Sequence, residues 1–366
     1  MSCGQIALRE LGVEPEIYYA SEIDKHAIRQ TQHNFPDTVQ LGDVERWREW
    51  ELDWSRIDLV LAGSPCQGFS LAGKQLAFDD PRSRLFFVFI DILNHVRKFN
   101  PGVLFLLENV NMKREYLRII SEQCGVFPVR INSALVSAQN RDRWYWTNVR
   151  TRLEGLFGEL HSDIPQPADK GIFLRHILEK EVPQKYYLSD KAVKSVTNPK
   201  RQGVYAEVNE TGDGKAKCLT ANYDKGRTGT FIIQCPRGNN KGGDHYDKAP
   251  TLSANAWEQN NLVIQLNTSK ESGGIQPYQQ NRVYDPAGKS PALLAEMSCG
   301  SHAIALSETI RRLTPTECAR LQTIPAWYEW IVSDTQIYKM LGNGWTVEAI
   351  RHILAFWDVI LQTKAA

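Results

Sequence analysis

Short apolar runs alternate with amphipathic stretches over the first 150 residues. The runs at 16–21, 38–41, 58–62, 103–108 and 129–136 are strand candidates, and 57–62 reads as a buried strand of a parallel sheet. Between them, 24–33, 83–98 and 113–124 carry apolar residues at helical spacing. This order predicts an α/β fold built on a doubly wound, mostly parallel sheet. Such sheets bind ligands beyond the carboxyl ends of their strands. Those ends carry Glu22, Asp43, Cys66 and Glu108.

The pattern changes beyond Pro165. Residues 201–300 hold 12 of the 25 glycines and many asparagines, with few long apolar runs. A loose repeat joins Lys217-Cys218-Leu219, Lys248-Ala249-Pro250-Thr251-Leu252 and Lys289-Ser290-Pro291-Ala292-Leu293. Each is followed by a short apolar strand, at 231–233, 262–264 and 303–306. A smaller β-rich domain is expected, with Tyr205, Tyr223, Trp257 and Tyr284 available for its core. Helical signals return after Thr309, with Pro315 in the first turn of one helix and an amphipathic stretch over 346–361.

Composition narrows the class. The hydrophobic content of 42% and charged content of 23% are those of an ordinary globular protein. No apolar stretch reaches the roughly 18 to 20 residues of a membrane span. The first residues lack a basic start followed by an apolar core, so no secretory leader is expected. Seven cysteines without tight pairs argue against a disulfide framework or a zinc site, and Cys218, Cys235, Cys299 and Cys318 read as structural. A reducing cytoplasm suits this usage. The net charge of +1 decides nothing about nucleic acid, because one face can be basic within a neutral whole; residues 185–305 carry 15 basic against 11 acidic side chains.

The chemistry concentrates at Gly63-Ser64-Pro65-Cys66-Gln67-Gly68-Phe69-Ser70, just past an apolar strand. A thiolate is a strong nucleophile, and a cysteine in a Gly- and Pro-rich loop at a strand end suits covalent catalysis. A lone cysteine there is as readily an inert buried one. Its company argues otherwise: Glu108-Asn109-Val110 ending an apolar strand, Gln139-Asn140-Arg141-Asp142-Arg143 with two arginines on one side of an extended chain, the segment 311–322, and Leu341-Gly342-Asn343-Gly344.

In this order the segments resemble the motif series of DNA (cytosine-5) methyltransferases, from Cys3 to the last helix. The Leu-Gly-Asn-Gly-Trp-Thr-Val and Ala-Ile-Arg-His ends are similar, more weakly, to the animal de novo branch. The resemblance implies a Rossmann-like, S-adenosylmethionine-dependent methyltransferase fold. It implies a catalytic and cofactor-binding domain over 1–165 and a β-rich target-recognition domain over 166–308. The remaining residues, 309–366, would form a hinge and C-terminal helices that pack back on the catalytic domain. Cys66 would attack C6 of a flipped cytosine, with Pro65 shaping the pocket wall. Glu108 would face N3 and N4, and Arg143 the O2 side. Arg141 would hold a neighbouring phosphate or support the cysteine loop. For the cofactor, Glu22 with Ile23 suits the ribose, Asp43 with Val44 the adenine, and Asn343 the amino-acid end. Cys3, Gly4, Leu85 and Trp345 complete that set. The family uses S-adenosylmethionine, released as S-adenosylhomocysteine, and no metal. The implied partner is double-stranded DNA, met by a monomer in the cytoplasm of a bacterial or phage-infected cell. The implied role is restriction-modification or protection from restriction, without direct contact to a cognate restriction enzyme.

One departure stands at the amino terminus. Met1-Ser2-Cys3-Gly4-Gln5 matches only the end of the family's first motif, and the strand and Phe-containing loop before it are absent. A start placed at an internal methionine would account for this. A chain real as written would leave one strand without a neighbour and bind the cofactor poorly. Two other readings remain beside the DNA enzyme: a non-catalytic DNA-binding relative and a tRNA cytosine methyltransferase. Retention of Cys66, Glu108 and Arg143 opposes the first; the long recognition segment and the lack of a Cys-Phe-Thr element oppose the second.

Overall fold

The computed structural model describes residues 1–63, 84–187, 206–209, 215–217, 229–233, 282–284, 302–304 and 310–357. The chain divides into two compact units. The first comprises Met1–Gly171, Gln322–Ser333 and Gly344–Ala366; the second comprises Ile172–Leu321 and Asp334–Asn343.

The first unit runs α1 (Cys3–Glu10), β1 (Tyr19–Ala20), α2 (Lys25–Asn34), β2 (Val39–Gln40), β3 (Leu59–Gly63), α3 (Arg84–Phe99), β4 (Leu104–Val110) and α4 (Arg114–Cys124). It continues with β5 (Val129–Asn132), β6 (Gln139–Asn140), β7 (Asp142–Thr147), β8 (Thr151–Glu154), β9 (Glu159–Ser162) and, from the end of the chain, the helix Val347–Leu354. Every strand and helix expected before residue 132 is present, and β1, β2 and β5 are shorter than their expected spans. The run 129–136 breaks after Asn132, whose side chain accepts from Ala134 N–H and starts a 3-10 turn.

The main sheet has the order β3-β4-β7-β5. β3 and β4 are parallel, and β7 runs antiparallel to both β4 and β5. Three strands therefore share one direction and β7 opposes them. β4 is the buried centre, with Phe105, Leu106 and Leu107 fully inaccessible. The face of α3 formed by Phe86, Phe89, Ile90, Leu93 and Val96 packs in one cluster with Phe105, Leu107 and Trp146. The pair β1–β2 forms a separate parallel ribbon, and β3 is the edge of the main sheet, with Leu59 to Ala62 only partly buried.

In the second unit, β12 (Gly229–Ile233) lies between β10 (Ala206–Asn209), parallel to it, and β15 (Ile310–Arg312), antiparallel. β11 (Ala216–Lys217) precedes β12, and β13 (Arg282–Tyr284) pairs in parallel with β14 (His302–Ile304). β12 and β14 cover the first and third apolar segments of the loose repeat; the second, 262–264, lies outside the described residues. The helices Pro315–Leu321 and Asp334–Asn343 belong to this unit, whereas Val347–Leu354 packs with α1 in the first. The last helix ends at Leu354, short of the amphipathic stretch, and 358–361 lie outside the described residues.

Candidate active site

The site forms on one row of the main sheet. Gly63 at the end of β3 stands in register with Glu108 on β4, and Glu108 faces Tyr145 on β7. Arg143, two residues before Tyr145, points to the same face because side chains alternate along a strand. Arg143 Nε lies 2.8 Å from Glu108 Oε1, and both side chains are largely buried. Tyr145 is buried beside them; burial first, and the Glu108 charge second, push its phenol up, so it stays neutral. A buried carboxylate meets a guanidinium, as the apolar strand demands. Pro65 and Cys66 follow Gly63 by two and three residues and lie outside the described residues.

Arg141 is buried and donates to the Gly344 carbonyl at 2.8 Å. That contact places it as a support of the chain after Asn343. The turn there is held at three successive residues. The Gly344 carbonyl also accepts from Gln322 Nε2 at 3.4 Å, and the Trp345 carbonyl accepts from the Cys3 thiol at 3.6 Å. Thr346 Oγ1 bonds Gln322 Oε1 at 3.0 Å and Ser133 Oγ at 2.9 Å. The Trp345 indole lies on Gly63: a Cβ there would sit 2.7 Å from Nε1 and 3.2 Å from two ring carbons. Cys3 is buried in α1, and burial raises its thiol. Gly4 packs so closely that a Cβ would meet Leu61 Cδ1 at 2.5 Å and the Tyr18 hydroxyl at 2.7 Å.

A second group gathers at the ends of β1 and β2. Ser21 Oγ donates to the Gly42 carbonyl at 2.7 Å, lacing the Glu22 turn to the Asp43 turn. Gly42 has φ +74°, which favours glycine at this bend. Glu22 Oε1 accepts from the Ile23 and Asp24 amides at 2.8 and 2.9 Å, which fixes the carboxylate's direction. Ile23 is 75% exposed beside it, an apolar surface next to an acid. Asp43 accepts from Glu45 N–H at 2.9 Å and starts the turn carrying Val44, which packs on the core. Arg84 Nε donates to Glu45 Oε1 at 2.9 Å, bringing the first turn of α3, with Leu85, to this group. Two acids at successive strand ends beside exposed Ile23 fit a nucleoside with ribose hydroxyls and an exocyclic amine. Asn343 is exposed at the end of its helix and falls in the second unit.

The structure therefore brings Glu108 with Arg143, Cys3 with Trp345, and the Glu22 turn with the Asp43 turn, while Gly4 packs on Leu61 and Tyr18. Gly63, Tyr145, Gln322, Ser133 and Thr346 join the site without having been singled out. Only Gly63 carried a local signal, a small residue where a strand meets a loop, which often marks close approach. Among the described residues no helix is long and apolar enough to cross a membrane, and no group of three or more His, Cys, Asp or Glu could hold a metal.

A family profile described as C-5 cytosine-specific DNA methylase matches residues 2–356. Among curated relatives, the orphan methyltransferase M.SPRI of Bacillus phage SPR is 27% identical, covering 95% of this chain and 93% of its own. The type II methyltransferase M.HpaII of Haemophilus parainfluenzae is 28% identical, covering 95% and 84%. Among solved structures, the Entamoeba histolytica methyltransferase EhMeth superposes with TM-score 0.59 at 15% identity over 97% of this chain and 95% of its own. S. pombe Dnmt2 gives 0.55 at 16% identity over 100% and 96%. At these identities the structures speak for the fold alone, which they share with this chain. With its motifs in order along the chain and a profile that spans nearly all of it, this protein belongs to the C-5 cytosine-specific DNA methylase family and is a DNA (cytosine-5-)-methyltransferase.

Proposed function

We propose that the protein methylates C5 of a flipped-out cytosine in duplex DNA through a covalent bond between Cys66 Sγ and C6. The observation that carries this reading is the buried Glu108–Arg143 pair on the row where β3 leads to Cys66. Cytosine C5 is a weak nucleophile. Attack of the Cys66 thiolate on C6 forms the S–C6 bond and moves the C5–C6 π pair onto C5. Glu108 shares a proton with N3 and accepts from N4, drawing charge from C6. Arg143 holds the O2 side and keeps Glu108 aimed. S-adenosylmethionine would supply the methyl group that the C5 electron pair takes, its sulfur–methyl bond breaking to leave S-adenosylhomocysteine. A base then removes the C5 proton, and the returning pair expels the Cys66 thiolate. The target must leave the stack to reach such a pocket.

The turns bearing Glu22, Ile23, Asp43, Val44 and Leu85 would hold the nucleoside of the cofactor, and those bearing Cys3, Gly4 and Trp345 its amino-acid end. The residues between 166 and 308 would read the target by base-edge and phosphate contacts. The type II and phage-borne names of the relatives support a role in restriction-modification or protection from restriction in the cytoplasm of a bacterial or phage-infected cell.

The test is transfer of labelled methyl from S-adenosylmethionine to duplex DNA of mixed sequence, with Cys66→Ala and a tRNA acceptor in parallel. Transfer to DNA that vanishes in Cys66→Ala supports the reading. Transfer to tRNA alone would reassign the substrate. DNA binding without transfer would favour the non-catalytic alternative. Resistance of DNA from expressing cells to a panel of restriction endonucleases tests the protective role.

A further inference from the structure

The hairpin β8–β9 exposes three large apolar side chains: Leu153 at 71% on β8, and Leu156 and Phe157 at 93% and 89% in the turn. Its two edges are unlike. The outer edge of β9 is occupied, because Phe127 N–H donates to the Leu160 carbonyl and Ser162 N–H donates to the Phe127 carbonyl, both at 2.8 Å. Among the described residues no strand pairs with the outer edge of β8. The register fixes which backbone groups lie there. Asp163 N–H donates to the Arg150 carbonyl at 2.9 Å, and the ladder continues through Arg152 opposite His161 and Glu154 opposite Glu159. Bonded and non-bonded pairs alternate in an antiparallel ladder, so 150, 152 and 154 bond inward, and Thr151 and Leu153 turn N–H and C=O outward. Such an edge is a template for another strand.

Charge narrows the choice of strand. Arg152 and Glu154 share one face of β8 and pair with each other, while His161 Nδ1 lies 3.3 Å from Glu154. Leu153 points to the other face, opposite Leu160, which packs on the core. Set antiparallel beside itself, Arg152-Leu153-Glu154 places an arginine against a glutamate on both sides of a leucine pair. We infer that β8 is the interface for a second copy of this chain, the two edges pairing antiparallel about a two-fold axis at Leu153, in place of the monomer that the family resemblance implies. The two Leu153 residues exchange N–H···O=C bonds, as their outward groups require. Arg152 faces the partner's Glu154 in a non-bonded pair, where side chains come closest. Sliding by two residues either way would set Arg152 against the partner's Arg152 or Glu154 against the partner's Glu154, so charge selects this register. The contact is isologous and closed. So short an edge falls below the roughly 1,200 Å² of total buried surface in a stable complex, which makes the dimer weak and concentration-dependent. None of this depends on the methylation chemistry.

The experiment is sedimentation velocity of the full-length chain, without DNA, over a wide range of protein concentration. Wild type is expected to pass from monomer to dimer as concentration rises. Leu153→Pro removes an N–H that β9 does not use and should give a monomer that still unfolds cooperatively on heating. Arg152→Glu and Glu154→Arg each set like charges together twice across the axis and should weaken association by about 10-fold. An equimolar mixture of those two variants should regain it, because each chain supplies the charge the other lacks. A wild type that stays monomeric at every concentration overturns the inference and leaves the edge to a strand of another protein. A dimer that survives Leu153→Pro and both charge variants overturns it equally, since the contact would lie elsewhere. Should Leu153→Pro not fold, the mixture decides: association no stronger than in either variant alone sinks the two-fold pairing.

Discussion

Among the described residues each unit buries an arginine–glutamate pair, and the two pairs are built differently. In the second unit, Arg311 and Glu317 are wholly inaccessible and joined by two parallel bonds of 2.8 and 2.9 Å. Glu317 also accepts from the Thr314 and Glu179 amides, both at 2.8 Å. Every carboxylate oxygen is answered inside the protein. In the first unit, Glu108 meets Arg143 through one 2.8 Å contact, and no backbone amide donates to its carboxylate among the described residues. Both side chains keep a little exposure, 10% and 13%. A saturated pair can only hold a fold together. A pair joined by a single contact and still slightly exposed is not closed in that way.

That contrast can be broken by substitution. The largest effect on stability is expected for Glu317→Gln, which strands the Arg311 charge and should cost the second unit about 3 to 5 kcal/mol. Replacing both partners by apolar residues of similar volume should recover most of it. Urea unfolding of the three chains measures both. Glu108→Gln should do the reverse: a rate loss of about 100-fold or more, with a smaller stability loss than Glu317→Gln because a single contact is removed and not a closed network. Equal stability losses at the two sites would erase the distinction drawn here.

Smaller effects sharpen it. Arg141→Met removes a charged donor from the Gly344 carbonyl and should destabilise the first unit by about 2 kcal/mol. Methyl transfer should fall with it, since the Trp345 turn loses a support; a destabilised variant with unchanged transfer would separate that turn from the chemistry. The least effect is an alkaline one. Burial pushes the Tyr18 phenol up from 10.0 to about 12. The folded value lies above the unfolded one, so this stability is fully present below pH 10 and is lost as the pH rises through about 12. The loss should approach about 3 kcal/mol. Unfolding curves at rising pH should show it in the wild type, and Tyr18→Phe should flatten that slope.

The pieces legible from sequence are those whose chemistry is local. An apolar strand ending in Glu108-Asn109, or a Gly-Ser-Pro-Cys turn, announces a buried acid or a nucleophile within a few residues. The Asp24 and Asp43 caps are equally local, since each side chain bonds an amide two residues on. The hairpin β8–β9 was not legible, because its exposed residues show no clear alternation. The antiparallel sense of β7 was also hidden, for no residue in it records the direction of its neighbour.

By itself, the sequence determined the alternation of strands and helices, the placement of acids and Cys66 at strand ends, and the family. These follow from short-range periodicity and from motifs in a fixed order. Only the tertiary structure decided that Arg141 reaches the Gly344 carbonyl, 203 residues away, and that Cys3 meets Trp345 across 342. It also decided that Gly63 must be small because an indole rests on it. Contacts of that separation are set by how the sheet and the returning C-terminal segment stack, and close packing leaves room for one arrangement that no local pattern encodes.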